Sequence, residues 1–193
     1  MRSVLYMMTN DANFFADEHP EERPMFGLIE EHDGSPCRCS GTEEDKWNAE
    51  IDNLQGCLLY FNPVDHHIAS ATEYPDNGRD RKRCDALLHS TTALVFVELK
   101  DVKAKDRKNA RKKAVAQLLS TVRDYQSSIS GRKFPEQYAA ICFRRPQVSL
   151  NASVSSAGSK EQLSDMGFKL VTGFRIIFDH AGSVQVKEAP GSK

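Results

Sequence analysis

Three charged residues stand in and around a run of strand-forming residues, CDALLHSTTALVFVELK at 84–100: Asp85, Glu98 and Lys100. Burying an ionised group without a partner costs several kcal/mol or more, so charges in such a stretch need an explanation. If the loop between two strands is centred between Thr91 and Thr92, antiparallel partners sum to 183, and Asp85 faces Glu98. Two facing carboxylates repel unless one is protonated or a cation sits between them. A hard divalent ion that takes oxygen ligands, Mg2+ or Mn2+, suits that position. Lys100 lies two residues beyond Glu98, so the pleat brings it to the same face. The plainer reading is that all three are strand ends reaching water. A one-residue slip would separate the pair.

The surrounding pattern predicts the elements that carry these residues. RCDALLH and TALVFVELK read as two strands, the second rich in β-branched and aromatic residues. From Ala104 to about Tyr125 the period becomes helical: Ala110, Ala114, Leu118, Thr121 or Val122, and Tyr125 recur on one face. KWNAEID and CLLYF, joined by NLQG, predict a hairpin, and VDHHIASA a short helix. YAAICF predicts a strand, SKEQLSDMG a helix ending at Gly167, FRIIFD a strand and SVQVKE an edge strand. EEHDGSPCRCSGTEED, EYPDNGRDRKR and VSLNASVSSAGS read as loops. The sum is an α/β sandwich of mixed strand direction.

Aspartate near the start of one strand, then E-x-K ending the next, then a helix, resembles the signature of the PD-(D/E)XK nuclease superfamily. Here it reads Asp85, twelve intervening residues, then Glu98-Leu99-Lys100, and the likeness covers roughly residues 80–143. The resemblance implies a restriction-endonuclease-like fold, a mixed sheet flanked by helices, with the core order helix, three-stranded meander, helix, strand. It implies that Asp85 and Glu98 hold the metal and that the Leu99 carbonyl adds a ligand. Lys100 would then position or activate the attacking water and offset charge on the phosphate. Cys84 stands where the name-giving proline would be. The extra acidic residue that many members carry on a preceding helix has no clear counterpart: Glu50 lies in a predicted strand and Asp65 on at most a short helix. One branch of the superfamily has a glutamine on the helix after the lysine, which maps to Gln117. A structural Gln117 fits equally well, and Tyr125 is assigned to the core.

The net charge of −1 conceals a segregation. Residues 1–78 carry four basic and sixteen acidic side chains, whereas residues 79–145 carry seventeen basic and seven acidic. Arg81, Lys82 and Arg83 precede Asp85, and Lys103, Lys105, Arg107, Lys108, Arg111, Lys112 and Lys113 surround the start of the helix. These ten residues, with Arg79 beside them, form the candidate nucleic-acid surface, DNA above all. Attraction between the acidic and basic regions inside one domain is the alternative.

The 193 residues suit a single domain, with a nuclease-like core at about 42–180 and an acidic N-terminal extension at 1–41. No apolar run approaches the length of a membrane helix, and five cysteines without framework spacing fit a reducing cytoplasm. Cys37, Cys39, Cys57, His66 and His67 make only a weak zinc pattern. Two active sites cutting opposite strands would require a homodimer, and a partner protein would supply specificity. The competing functional class is a module of the same fold that binds nucleic acid or a partner without hydrolysis, as one subunit of a defence or repair assembly. A purely structural dimer unit is a third reading.

Overall fold

The structure is a computed structural model that describes residues 14–15, 18–31, 35–64, 83–128, 133–144, 157–179 and 183–188. Its strands are β1 (His19–Glu21), β2 (Met25–Ile29), β3 (Arg38–Ser40), β4 (Ala49–Asp52), β5 (Leu59–Pro63) and β6 (Ala86–His89). They continue with β7 (Ala93–Lys100), β8 (Glu136–Phe143), β9 (Lys169–Gly173), β10 (Arg175–Phe178) and β11 (Val184–Lys187). Among the described residues, the helices α1 (Arg107–Ser128) and α2 (Ala157–Asp165) complete an α/β arrangement with two mixed sheets. No described helix is long and apolar enough to cross a membrane.

The first sheet runs β1-β5-β6-β7-β8-β9 and the second β11-β10-β4-β2-β3. In the first, β5, β6 and β7 form an antiparallel meander, and β8 and β9 follow parallel to β7. Alternation along each strand divides the core in two. Leu87, Leu94, Phe96 and Ile141 point toward Ala114, Leu118, Val122 and Tyr125 of α1 and toward Leu163 of α2. Ala86, Leu88, Val95, Val97 and Leu99 point toward Phe26, Leu28, Ile51 and Ile176 of the second sheet. β7 is therefore covered on both faces, which explains its unbroken apolar run up to Glu98.

The expected hairpin of KWNAEID and CLLYF does not form, because β4 and β5 belong to different sheets. Both edges of β4 are occupied, by β2 antiparallel and β10 parallel. The intervening loop is a corner closed by Asn53, whose side chain accepts from the Cys57 N–H (3.0 Å) and donates to the Cys57 carbonyl (2.7 Å). Gly56 takes φ +62° there, a backbone region that favours glycine. β3 lies inside a stretch expected to be loop, and β9 was not expected at all. The short helix expected at VDHHIASA falls almost wholly outside the described residues, as does most of the VSLNASVSSAGS loop. Strands from the first 41 residues pair with later ones, β1 with β5 and β2 with β4.

Trp47 lies against the backbone of β2. A Cβ built on Gly27 would stand 1.9 Å from Trp47 Cγ, so any side chain there must displace the indole. Gly27→Ala is expected to cost about 3 kcal/mol through this overpacking, read as a lower urea midpoint with an unchanged m value.

Candidate active site

The β6–β7 pairing has the register expected from the sequence: Ala86 faces Val97, Leu87 Phe96, Leu88 Val95 and His89 Leu94. Ser90 makes the turn possible without the usual Asn-Gly. Its hydroxyl accepts from the N–H groups of Thr92 (3.1 Å) and Ala93 (3.0 Å). At the other end the ladder departs from regularity, and Asp85 does not take the expected place opposite Glu98. The Asp85 N–H donates to the Val97 carbonyl (3.0 Å), so Asp85 and Ala86 both meet Val97, and the Asp85 carbonyl accepts from Val64 N–H (3.0 Å). An offset of this kind re-aims a side chain. The Asp85 carboxylate turns to the end of β7, where Oδ2 accepts from the Leu99 N–H at 2.5 Å.

Glu98 is fully buried, and Lys100 reaches back along β7 to it. The Lys100 ammonium donates to Glu98 Oε1 and to the Leu99 carbonyl, the latter at 2.9 Å. Glu98 Oε2 is buried and has no hydrogen-bond partner among the described residues. Burial pushes the Glu98 carboxyl well above its ordinary range, and the Asp85 charge pushes the same way; Lys100 opposes both without prevailing. Burial acts to lower the Lys100 ammonium, but the Glu98 and Asp85 charges outweigh it and hold its pKa above the usual lysine value. Lys100 therefore keeps its proton. Glu30, just past β2 in the second sheet, adds a further negative charge acting on both Glu98 and Lys100. Its backbone N–H donates to Asn48 Oδ1 at 3.0 Å.

Gln117 projects from α1 toward the chain leading into Asp85, and its Nε2 donates to the Arg83 carbonyl at 3.0 Å. Arg83 is buried and ion-paired with Asp124 at 3.0 Å, so its guanidinium lies inside the molecule rather than on the basic surface. Arg107 is also buried, with its guanidinium 5.9 Å from the Phe143 ring centroid. Lys103, Lys105, Lys108, Lys112 and Lys113 are exposed, and Arg111 is half-buried. Arg81 and Lys82 lie outside the described residues, with Arg79. Arg144 was not expected in the site. Its backbone N–H donates to the Lys100 carbonyl (3.1 Å), and its side chain pairs with Asp101 (3.1 Å).

A divalent cation has an oxygen donor set here: the carboxylates of Asp85 and Glu98 and the carbonyl of Leu99. The buried Glu98 Oε2 supplies the acceptor such an ion would use, so these residues fit the group. Of the two candidates for an extra acidic ligand, Glu50 is ion-paired with Arg175 at 2.9 Å and Asp65 lies outside the described residues. His66 and His67 of the zinc pattern also lie outside them. No group of three or more His, Cys, Asp and Glu among the described residues has metal-holding geometry. None of the five cysteines is in a disulfide, and burial pushes the Cys142 thiol up to about 12, which removes it as a nucleophile. No protein-family model, curated protein or solved structure matches the chain.

Proposed function

We propose that the chain is a Mg2+- or Mn2+-dependent nuclease that hydrolyses phosphodiester bonds, with DNA as the substrate its charge pattern favours. The observation that carries this reading is the buried Glu98 oxygen without a hydrogen-bond partner among the described residues, beside Asp85 and Lys100 at one end of the β6–β7 hairpin. Support for a restriction-endonuclease-like fold comes from the order of elements around it. The meander β5–β6–β7 precedes α1, and α1 precedes β8, which is parallel to β7.

When bound, the ion would neutralise phosphate charge and acidify a water. The chain's own residues divide the remaining work. Asp85, already fixed by its bond to the Leu99 N–H, and Glu98 would hold the ion together with the Leu99 carbonyl. Lys100 would leave Glu98 and turn its ammonium to the scissile phosphate. Because it keeps its proton, its role is to donate hydrogen bonds and offset developing negative charge rather than to act as a base. The exposed lysines near the start of α1 would track the phosphate backbone on either side.

One observation favours the runner-up, a module of this fold that binds nucleic acid or a partner without cutting. The Lys100 ammonium already occupies Glu98 Oε1 and the Leu99 carbonyl, two of the groups an ion would need. Incubation with supercoiled plasmid, single-stranded DNA and RNA, in Mg2+ or Mn2+ and in chelator, separates the two. Metal-dependent cleavage of one substrate class is the expected result. Binding without cleavage by folded protein in saturating metal would establish the module instead.

Both readings share a prediction for the helix. Replacing Lys105, Lys108 and Lys112 together with alanine weakens nucleic-acid binding and flattens its salt dependence. For three lost phosphate contacts on duplex DNA, the slope of log K against log salt should fall by roughly 2.7. An unchanged slope would return these lysines to the role of solvated helix face.

A further inference from the structure

Three residues on one stripe of α1 converge on the two residues that precede Asp85. Gln117 Nε2 donates to the Arg83 carbonyl at 3.0 Å. Thr121 Oγ1 accepts from the Cys84 N–H at 2.9 Å, while its own proton goes to the Gln117 carbonyl at 3.0 Å. Asp124 Oδ2 pairs with Arg83 Nε at 3.0 Å. Positions 117, 121 and 124 recur at the helical period, so one face of one helix grips residues 83 and 84 through backbone and side chain together. Thr121 is fully buried within this grip, where core packing alone would have accepted a valine. The bond also uses the Cys84 N–H, which a proline at that position would lack.

We infer that Thr121, with Gln117 and Asp124, is a positioning element that fixes the Asp85 carboxylate. The segment it holds enters directly into the offset at Asp85, whose Oδ2 must arrive within 2.5 Å of the Leu99 N–H. Without the clamp, residues 83–84 lose their anchors on α1, and the aim of Asp85 is left to its own backbone bonds with Val97 and Val64. The assignment of this carboxylate to a metal rests on the proposed function, but the clamp itself does not need a metal.

The Leu99 amide resonance in metal-free protein therefore tests it, with Asp85→Asn identifying the effect of losing the carboxylate. Thr121→Val should move the Leu99 amide proton in the same direction as Asp85→Asn does, and Thr121→Ser should restore it. Mn2+ affinity should fall by about tenfold in Thr121→Val, the scale typical of residues that orient a ligand. If Thr121→Val does not fold, Gln117→Met gives the same readout from the neighbouring bond. A Leu99 resonance that stays at its wild-type position in folded Thr121→Val or Gln117→Met would overturn the clamp, whatever happens to melting temperature. A shifted resonance in a protein that binds no Mn2+ would support the clamp and overturn the metal site.

Discussion

Lys100→Met is expected to slow the proposed phosphodiester cleavage by about a thousandfold, the upper end of the loss seen when one preorganised donor to a developing charge is removed. The ammonium is the one positive group in direct contact with Glu98 among the described residues. Methionine preserves most of the stem's packing and removes only the charge and its hydrogen bonds. The substitution also leaves Glu98 buried without its cation. Breaking a buried pair in this way costs about 3–5 kcal/mol when the remaining group stays ionised. Glu98 can reduce that cost by taking up a proton, since burial and Asp85 already hold its carboxyl well above the ordinary range. The stability loss of Lys100→Met should therefore shrink in acid and grow toward neutral pH, as denaturant unfolding at a series of pH values would show. A variant that still cuts at the wild-type rate would place the chemistry elsewhere.

Glu98→Gln is expected to abolish the proposed metal-dependent cleavage yet raise the stability of the metal-free protein. The sign follows from proton linkage. A carboxyl whose folded pKa lies above its unfolded value binds its proton more tightly in the folded state. Its stabilising contribution is present at pH below the ordinary value of 4.5 and is lost as pH rises through the raised folded value. Above the ordinary carboxyl range the folded wild-type protein thus loses stability through its desolvated Glu98 carboxyl. Glutamine keeps the shape and removes the charge, while Lys100 retains its bond to the Leu99 carbonyl. An increase in Tm of about 2–4 °C is expected, the shift that ~1 kcal/mol produces in a domain of this size. The wild-type decline in stability above the ordinary carboxyl range should flatten in the variant. A destabilised Glu98→Gln would mean that the carboxylate serves the fold through Lys100 rather than storing a cost for a ligand.

The pairing of Ala86–His89 with Leu94–Val97, which carries Glu98 and Lys100, was legible because it depends on local pattern; the offset that sets Asp85 against Val97 was not. A two-residue turn and period-two strands fix the register, and Ser90 supplies the turn chemistry that glycine would otherwise give. The helical stripe of α1 and the existence of β8 were legible for the same reason, whereas its parallel pairing with β7 was not. What escaped depends on contacts far apart in sequence. KWNAEID and CLLYF look like hairpin partners, but β4 finds its neighbours in β2 and in β10, more than a hundred residues later. The negative charge of Glu30 arrives from the second sheet, and no spacing near Glu98 announces it. Thr121 could be read as a polar residue at a core position, whereas its bond to Cys84 could not. Arg83 shows the converse. A run of basic residues suggests an exposed surface, but Asp124 on α1 turns this one inward.

The most direct test is a calorimetric titration of Mn2+ into metal-free wild-type protein and into Glu98→Gln. Binding to the wild-type chain at the Asp85–Glu98 site, with Lys100 displaced, and its loss in the variant are the expected results. Absence of binding to the folded wild-type protein, or equal binding to Glu98→Gln, would contradict the claim that the buried Glu98 oxygen is a metal ligand.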